Sequence, residues 1–462
     1  MLWSGRFARG PHPEMVALTA SISFDVELLA HDLAVTRAHA RVLEAAGHMS
    51  TEDVAAIDDA TRSLLEAFAS GSVAPSAADE DVHSFVERVL TEELGEVGKR
   101  IHAGRSRNDL VATDLRLWAR DGAGEAVDAL IGLISVISDF GEGQAETVMP
   151  GYTHMQRGQP VSFGFHMLAH GFALLRDAHR FRAAFEAANA SALGAGAVAG
   201  NTLDLDPQVA ADELAFDRTF DNAMDAVSDR DFAVDLLYAS ALCGVHLSRL
   251  GEEIVLWTSP EFGFARLADE WSTGSSMMPQ KRNPDLAELI RGRSAGGIAD
   301  LTGILTLIKG TPLAYNRDLQ EDKLFLFRSI ERIVGSIRGM TSLLGALRLD
   351  KERMSAAASG SATWATDLAE RLVARGAPFR DAHEAVGALV GHLEETGADL
   401  AGIAQELPKH HPLLSPDDAE VSDPLIGLRA RRSPGGTAPE RVLEQVRDLR
   451  AKAAALSGVR SA

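Results

Sequence analysis

The residues from Thr273 to Asp285 combine side chains suited to proton transfer with side chains that bind anions. The hydroxyl of Ser275 can give or accept a proton, and Lys281 supplies a positive charge for an anion. Asn283 followed by Pro284 is typical of a helix N-cap and the first helical position, and the positive end of that helix would favour negative charge. From residue types alone, a surface loop before a well-capped helix explains this segment equally well.

Three other polar segments supply chemistry that residues 273–285 lack. Residues 104–109, Gly-Arg-Ser-Arg-Asn-Asp, carry two guanidinium groups, whose planar forks bind carboxylates. His154 supplies an imidazole beside the hydroxyl of Thr153, and residues 315–323 add a phenol, amides and a lysine. Together the four segments predict a site for a substrate with several carboxylates, served by one acid and one base.

The composition favours a large, helical, globular protein. The chain has 462 residues, of which 46% are hydrophobic, so two or three domains are expected. Aromatic residues make up only 6%, and alanine, leucine, glutamate and arginine are plentiful, which favours helix over sheet.

Charge and cysteine content exclude several classes of protein. A formal net charge of -21 argues against a general nucleic-acid binder. The single cysteine, Cys243, excludes internal disulfides and cysteine-based zinc sites. Since no run of ~20 apolar residues is present, no membrane span is expected, and the chain is predicted to be cytoplasmic.

Motifs for common cofactors do not accompany the polar segments. We find no Walker loop and no Gly-x-Gly-x-x-Gly after a predicted strand, so nucleotide and nicotinamide chemistry lose support. Nor do we expect a zinc-binding His-x-x-x-His pair. The sequence therefore predicts neither a cofactor nor a metal ion.

Helical periodicity dominates the chain and places the polar segments at the ends of helices. Residues 149–160 are interpreted as a turn-rich loop, and the chain after about residue 350 as a smaller helical domain. The predicted helix at 235–257 is apolar on nearly every side, which indicates the centre of a bundle or of an oligomer core. Helices are predicted near residues 25–46, 82–94, 109–140, 235–257 and 286–308.

Taken in order, the polar segments resemble the motifs of one enzyme family. The segment Gly-Ser-Ser-Met-Met-Pro-Gln-Lys-Arg-Asn-Pro at 274–284 resembles the signature of the fumarase/aspartase superfamily. The other segments are similar to the argininosuccinate lyase family within it, and the match spans nearly the whole chain. The matching segments are 3–7, 80–83, 104–109, 151–160, 274–284 and 315–323.

The resemblance implies an all-α, three-domain subunit. The domains would comprise residues 1–106, residues 107–358 with the catalytic loop 273–285, and residues 359–462. Five long central helices would associate into a twenty-helix core of a homotetramer, with each active site built from three subunits. The implied reaction is the reversible elimination of argininosuccinate to arginine and fumarate, without a cofactor and with no nucleic-acid or membrane partner.

The resemblance also assigns roles to individual residues. Ser275 and His154 match the catalytic serine and histidine, one taking a proton from carbon and the other protonating the leaving nitrogen, and we favour Ser275 as the base. Glu288 matches the carboxylate that orients His154, and Lys281 with Asn283 would stabilise the aci-carboxylate intermediate. The positions that match the family's substrate contacts are Ser21, Arg107, Asn108, Thr153, Asn283, Tyr315, Gln320 and Lys323.

Two alternatives remain open at this point. The chain could act as another member of the superfamily, such as adenylosuccinate lyase, fumarase or aspartase. It could also be a non-catalytic structural protein on the same fold, as the delta-crystallins are, although the presence of Ser275, His154, Glu288 and Lys281 argues against that. For Asn108 and Thr153 taken singly, an ordinary structural role in a loop is the simpler interpretation.

Overall fold

The computed structural model describes residues 12–76, 78–360 and 362–458. Most of these residues are α-helical, as the sequence predicts. The motif at residues 3–7 lies outside the described residues. In the described part of the chain, no helix is both long and apolar enough to cross a membrane.

Six helices make up the N-terminal part of the described chain. The predicted helix at 82–94 is confirmed at both ends, because the side chain of Asp81 accepts a hydrogen bond from the Ser84 backbone and begins it. The predicted helix at 25–46 is instead divided, with a 3₁₀ turn at Val26–Leu28. The helices are α1 (Pro13–Thr19), α2 (Ile22–Asp25), α3 (Leu29–Ala45), α4 (Thr51–Ala69), α5 (Val82–Leu94) and α6 (Glu96–Arg100).

Among the described residues, five helices of 24 to 37 residues form the centre of the structure. Their packed faces contribute most of the large hydrophobic core. Two short helices lie between the second and third of them. The central elements are α7 (Arg107–Gly143), α8 (Phe163–Ala188), α9 (Pro207–Glu213), α10 (Ala223–Ser228), α11 (Asp231–Thr258), α12 (Asp285–Ile308) and α13 (Asp322–Gly345).

The middle of the C-terminal part has a hydrophobic core of its own. Residues between Trp364 and Val421 form a separate hydrophobic cluster. Val446 and Leu449 of the last helix belong instead to the central core, where they pack on α7 and α8. The helices are α14 (Lys351–Ser359), α15 (Ala365–Ala374), α16 (Phe379–Thr396), α17 (Leu407–His410), α18 (Pro424–Ala430) and α19 (Pro439–Ala454). The division into three domains at 106 and 358 stays a prediction.

Short strands and 3₁₀ turns connect these helices. Where the sequence indicated a loop at 149–160, the structure has an antiparallel hairpin of β1 and β2. The other strands pair as β3 with β4 in parallel and β5 with β6 antiparallel. The strands are β1 (Val148–Thr153), β2 (Gln156–Ser162), β3 (Ala190–Ser191), β4 (Arg218–Thr219), β5 (Ala265–Leu267) and β6 (Leu347–Leu349). The remaining 3₁₀ turns are Asp269–Trp271, Arg317–Glu321, Ala404–Glu406 and Pro416–Ser422.

The start of α12 differs by one residue from the prediction that Asn283 caps it. The helix begins at Asp285, and Pro284, whose side chain cannot accept a hydrogen bond, occupies the cap position. Asn283 instead pairs its backbone with Thr273, at N···O distances of 3.1 and 2.9 Å. The hydroxyl of Thr273 donates to Asp285 at 2.5 Å. These contacts close the loop 274–282 and set its ends at the helix start.

A close approach between α11 and α12 fixes where that loop sits. A Cβ atom added to Gly251 of α11 would lie 2.8 Å from the backbone oxygen of Ala287 of α12, closer than real Cβ contacts. Only glycine therefore allows the two backbones to meet one turn after the loop ends.

Replacing Gly251 with valine should lower the thermal unfolding midpoint, because the added side chain must push α12 away from α11. Overpacking of this kind costs about 1–3 kcal/mol. Gly387→Ala in α16 is the control, since no heavy atom lies within 4 Å of the added Cβ, and alanine is favoured over glycine in helices by ~1 kcal/mol. Equal midpoints for the two variants, measured by differential scanning fluorimetry, would contradict the packing argument.

Candidate active site

A cavity of about 370 Å³ lies where the N-terminal helices meet the beginnings of α7 and α13. Six of the eight residues predicted to bind substrate line it, although they are separated by up to three hundred positions in the sequence. The remaining two, Thr153 and Asn283, lie elsewhere. The lining residues are Ser21, Asp25, Glu80, Asp81, His83, His102, Ser106, Arg107, Asn108, Val111, Tyr315, Arg317, Gln320 and Lys323.

The first turn of α7 presents Arg107 and Asn108 to this cavity. Ser106 caps the helix by accepting a hydrogen bond from the Asn108 backbone, while its own backbone donates to Asp109 at 2.8 Å. The other oxygen of Asp109 accepts from Gly194 at 3.1 Å and Gly196 at 2.9 Å. One buried carboxylate thus joins the start of α7 to a distant glycine-rich turn.

Carboxylates line the cavity beside its cations. These carboxylates were not predicted from the sequence to be site residues. Arg107 donates to Asp81 at 2.7 Å, and Arg317 donates to Glu80 at 2.5 Å. Burial alone would raise the pKa of Asp81, but His83 and Arg107 lower it below its ordinary value. These acids carried no motif of their own, apart from the resemblance at residues 80–83.

Lys323 lies on a buried ion-pair cluster at one wall of the cavity. Its ammonium group donates to Asp322 at 3.1 Å, and Arg230 donates to the other oxygen of Asp322 at 2.5 Å. Burial would raise the pKa of Asp322, but Lys323 and Arg230 lower it. Two cations sharing one anion leave a net positive charge, which favours binding of an anionic ligand group.

Thr153 and His154 lie at the tip of the β1–β2 hairpin, outside the cavity. His154 and Met155 have φ angles of 55° and 59°, so both adopt the left-handed conformation. Turns of this kind normally use asparagine and glycine, and other side chains are strained there by about 1–2 kcal/mol. The exposed imidazole is therefore held in a costly position, and such strain is typical of functional sites.

Ser275 lies in the loop between β5 and α12. Its Oγ accepts hydrogen bonds from the backbones of Met277 at 3.2 Å and Met278 at 3.1 Å. Two N–H groups directed at one oxygen stabilise negative charge on it, so this local turn favours loss of the serine proton. The arrangement follows from the compact turn made by residues 275–278.

Lys281, Asn283 and Glu288 form a third group near the same loop. Lys281 and Asn283 line a different cavity of about 770 Å³, and Glu288 is exposed on the first turn of α12. Within the described part of one chain, no hydrogen bond joins Glu288 to His154. The predicted site residues thus fall into three groups: the cavity, the hairpin tip and the loop with the start of α12.

Two clusters among the described residues have the donor types of a metal site. Asp32, His83 and Asp114 are buried beside the cavity, which His83 also lines, and His166, His170 and Glu253 lie between α8 and α11. The expectation that the chain lacks a His-x-x-x-His pair is wrong, because His166 and His170 have that spacing.

The sequence matches two family profiles and many curated relatives. A profile described as "Lyase" covers residues 5–296, and one described as "Argininosuccinate lyase C-terminal" covers residues 362–425. The argininosuccinate lyase of Frankia casuarinae is 50% identical over 450 residues, which span 97% of each chain. The chain belongs to the argininosuccinate lyase family. Its similarity to the Acidothermus cellulolyticus argininosuccinate lyase is 48% identity over 97% of this chain and 93% of that one.

Solved structures share the fold of this chain. An EDDS lyase variant with bound fumarate superposes with a TM-score of 0.82 at 27% identity, covering 98% of this chain and 93% of that chain. The 3-carboxy-cis,cis-muconate lactonizing enzyme of Pseudomonas putida gives a TM-score of 0.74 at 19% identity, covering 97% of this chain and 100% of that chain. The predicted superfamily fold is confirmed.

Asp114 generates a prediction about pH. Neither of its carboxylate oxygens has a hydrogen-bond partner in the described structure. Burial, and then the neighbouring Asp32, raise its pKa well above the ordinary value. A group whose folded pKa is raised stabilises the folded state at low pH, and this contribution is lost as pH rises through the folded pKa.

Asp114→Asn mimics the protonated carboxyl group at every pH. Its thermal midpoint should equal that of the parent protein near pH 4 and exceed it increasingly towards pH 8, by on the order of 2 °C or more. Glu93→Gln, an exposed change on α5, should give a constant difference. An Asp114→Asn difference that stays constant, or shrinks with rising pH, would rule out the raised pKa.

Proposed function

We propose that this chain is an argininosuccinate lyase, which eliminates fumarate from argininosuccinate to leave arginine. The observation that carries the proposal is the cavity. Six of the predicted substrate-binding residues, from distant segments, line it together with charged side chains of both signs. Relatives that share up to 50% of the sequence over nearly the full length bear the same name.

The charges of the cavity suit a substrate that carries both signs. Arg107 and Lys323 can bind carboxylates, while the carboxylates of Asp25, Glu80 and Asp81 can bind cationic groups. Argininosuccinate has carboxylates on both parts of the molecule together with an amino and a guanidinium group.

We assign removal of the carbon proton to Ser275. Ser275 first gives its own proton to solvent, and the Met277 and Met278 backbones, which donate to its oxygen, stabilise the alkoxide that then takes the proton from carbon. Taking a proton from the carbon beside a carboxylate puts two negative charges on that carboxyl group. Lys281 and Asn283, on the same loop, are the groups we assign to stabilise that dianion.

We assign protonation of the leaving guanidino nitrogen to His154. As the carbon–nitrogen bond breaks, its electron pair goes to the nitrogen, which takes a proton from the imidazole, and the carbanion electrons form the double bond of fumarate. Glu288 is the carboxylate we assign to orient that imidazole. No cofactor takes part in these steps.

The three separated groups of site residues support a shared active site in a homotetramer. Ile298 and Leu305 of α12 are 49% and 47% exposed, and their spacing of seven places them on one face of the helix. Large apolar residues exposed together favour contact with another subunit. Since a tetramer would bring loops from different chains together, we propose that each site takes residues from three subunits, in a cytoplasmic enzyme.

Release of fumarate tests this function. Purified protein mixed with argininosuccinate should produce the ultraviolet absorbance of fumarate, and arginine in equal amount by chromatography. Adenylosuccinate and aspartate should give no signal under the same conditions. Turnover of adenylosuccinate without turnover of argininosuccinate would overturn the proposal in favour of another superfamily activity, and no turnover of any of the three would favour a structural protein.

Ser275→Ala and His154→Asn should each lower kcat by at least ~10²-fold, because each removes one acid–base group. Hybrid tetramers made by refolding the two variants together should regain up to about a quarter of the parent activity, since random assortment leaves that share of sites with both residues intact.

Ser276→Ala is the control for the loop, and it should retain kcat within about tenfold, because no acid–base group is lost. Hybrids no more active than either variant alone would show that Ser275 and His154 of one site come from the same chain. Near-normal kcat in either single variant would overturn its assigned role.

A further inference from the structure

Two histidines and one glutamate meet between α8 and α11, away from every group assigned to the reaction. His166 and His170 are four residues apart on α8, so both project from one face of the helix. The Nε2 atoms of the two rings lie 2.6 and 2.7 Å from the same oxygen of Glu253 on α11. None of the three lines the cavity or the loop described above.

The donor set matches that of a three-ligand metal site. Two imidazoles at i and i+4 with a carboxylate from a second helix occur at zinc centres that keep one open position. The three ligand atoms lie within 4.8 Å of one another. Zinc bonds of ~2.0–2.1 Å would place nitrogen and oxygen about 3.3 Å apart across a tetrahedral ion, so the side chains need to move by less than 1 Å.

The surroundings provide both support and access. The ring of Trp257 packs edge-on against His166, with centroids 5.3 Å apart, and holds the ring from one side. The three side chains are 24%, 14% and 33% exposed in the order His166, His170 and Glu253, so an ion can enter from solvent.

We propose that His166, His170 and Glu253 bind a divalent transition-metal ion of the zinc class, which links α8 to α11. Two nitrogen ligands select against magnesium and calcium, which prefer oxygen. The ion replaces two N–H···O hydrogen bonds by two N–metal bonds and one O–metal bond, and each ring then carries its one proton on Nδ1, so both imidazoles bind as neutral ligands. Its role is to fasten two central helices, and it takes no part in the elimination.

Titration of the full-length protein with metal tests this site. After treatment with a chelator and dialysis, calorimetry with Zn²⁺ should show one tight ion per chain, and Co²⁺ should produce the visible absorption of a nitrogen- and oxygen-bound ion. Zn²⁺ should also raise the thermal midpoint, because a ligand that binds the folded state stabilises it.

Variants locate the ion. His166→Ala, His170→Ala and Glu253→Gln should each weaken Zn²⁺ binding by at least ~10²-fold and abolish the rise in midpoint. His246→Ala is the matched control, because His246 of α11 contacts Asp177 of α8 at 2.6 Å and joins the same two helices with a single imidazole. It should keep the stoichiometric site.

Several results would overturn the proposal. They are the absence of tight Zn²⁺ binding, binding that survives in all three variants, and binding that is lost in His83→Asn, which would place the ion in the cluster of Asp32, His83 and Asp114. Glu253→Gln keeps the size of the side chain and protects the test if an alanine variant does not fold. Fumarate release measured in the same samples reports folding separately, so failure of the metal site and failure of the proposed activity are distinguishable.

Discussion

The hydrogen bonds accepted by Asp109 are the constraint on which the rest of the candidate site depends. The buried carboxylate of Asp109 accepts a hydrogen bond from the Ser106 backbone at the start of α7. It also accepts hydrogen bonds from the backbones of Gly194 and Gly196 in the glycine-rich turn. Burial raises its pKa, although the backbone donors act in the opposite direction. Because these hydrogen bonds fix the first turn of α7, the backbone positions of Arg107 and Asn108 do not depend on the contacts of their own side chains. From this turn, α7 continues into the central bundle of helices.

The electrostatics of the site contrast with those of the whole molecule. A formal charge of -21 repels anions in general, yet Lys323 at the cavity wall is buried, where screening by water is weak. Asp322 holds Lys323 and Arg230 together without neutralising both. A cavity that presents cations and carboxylates side by side selects ligands by where their charges lie, which is a finer criterion than net charge.

The helices were predicted from the sequence more accurately than the connections between them. The helix at Val82–Leu94 begins and ends as predicted, because a cap and a Gly mark its ends and apolar residues recur on one face. The β1–β2 hairpin was missed since His154 and Met155 give no turn signal. Asp25, Glu80 and Asp81 were not chosen from their residue types because acids are usually solvated, and only the folded chain brings them to one cavity. The proposed sharing of each site between subunits depends on contacts that one sequence does not encode locally.

The backbone pairing of Thr273 with Asn283 reduces the conformational entropy that the loop loses when it orders around a ligand. Because the two ends are already joined, ordering the loop around a ligand loses conformational entropy only over residues 274–282, and the entropy of closing the loop is lost during folding, before any ligand arrives. When a ligand binds, rearrangement of the loop therefore involves only the few backbone torsion angles of residues 274–282.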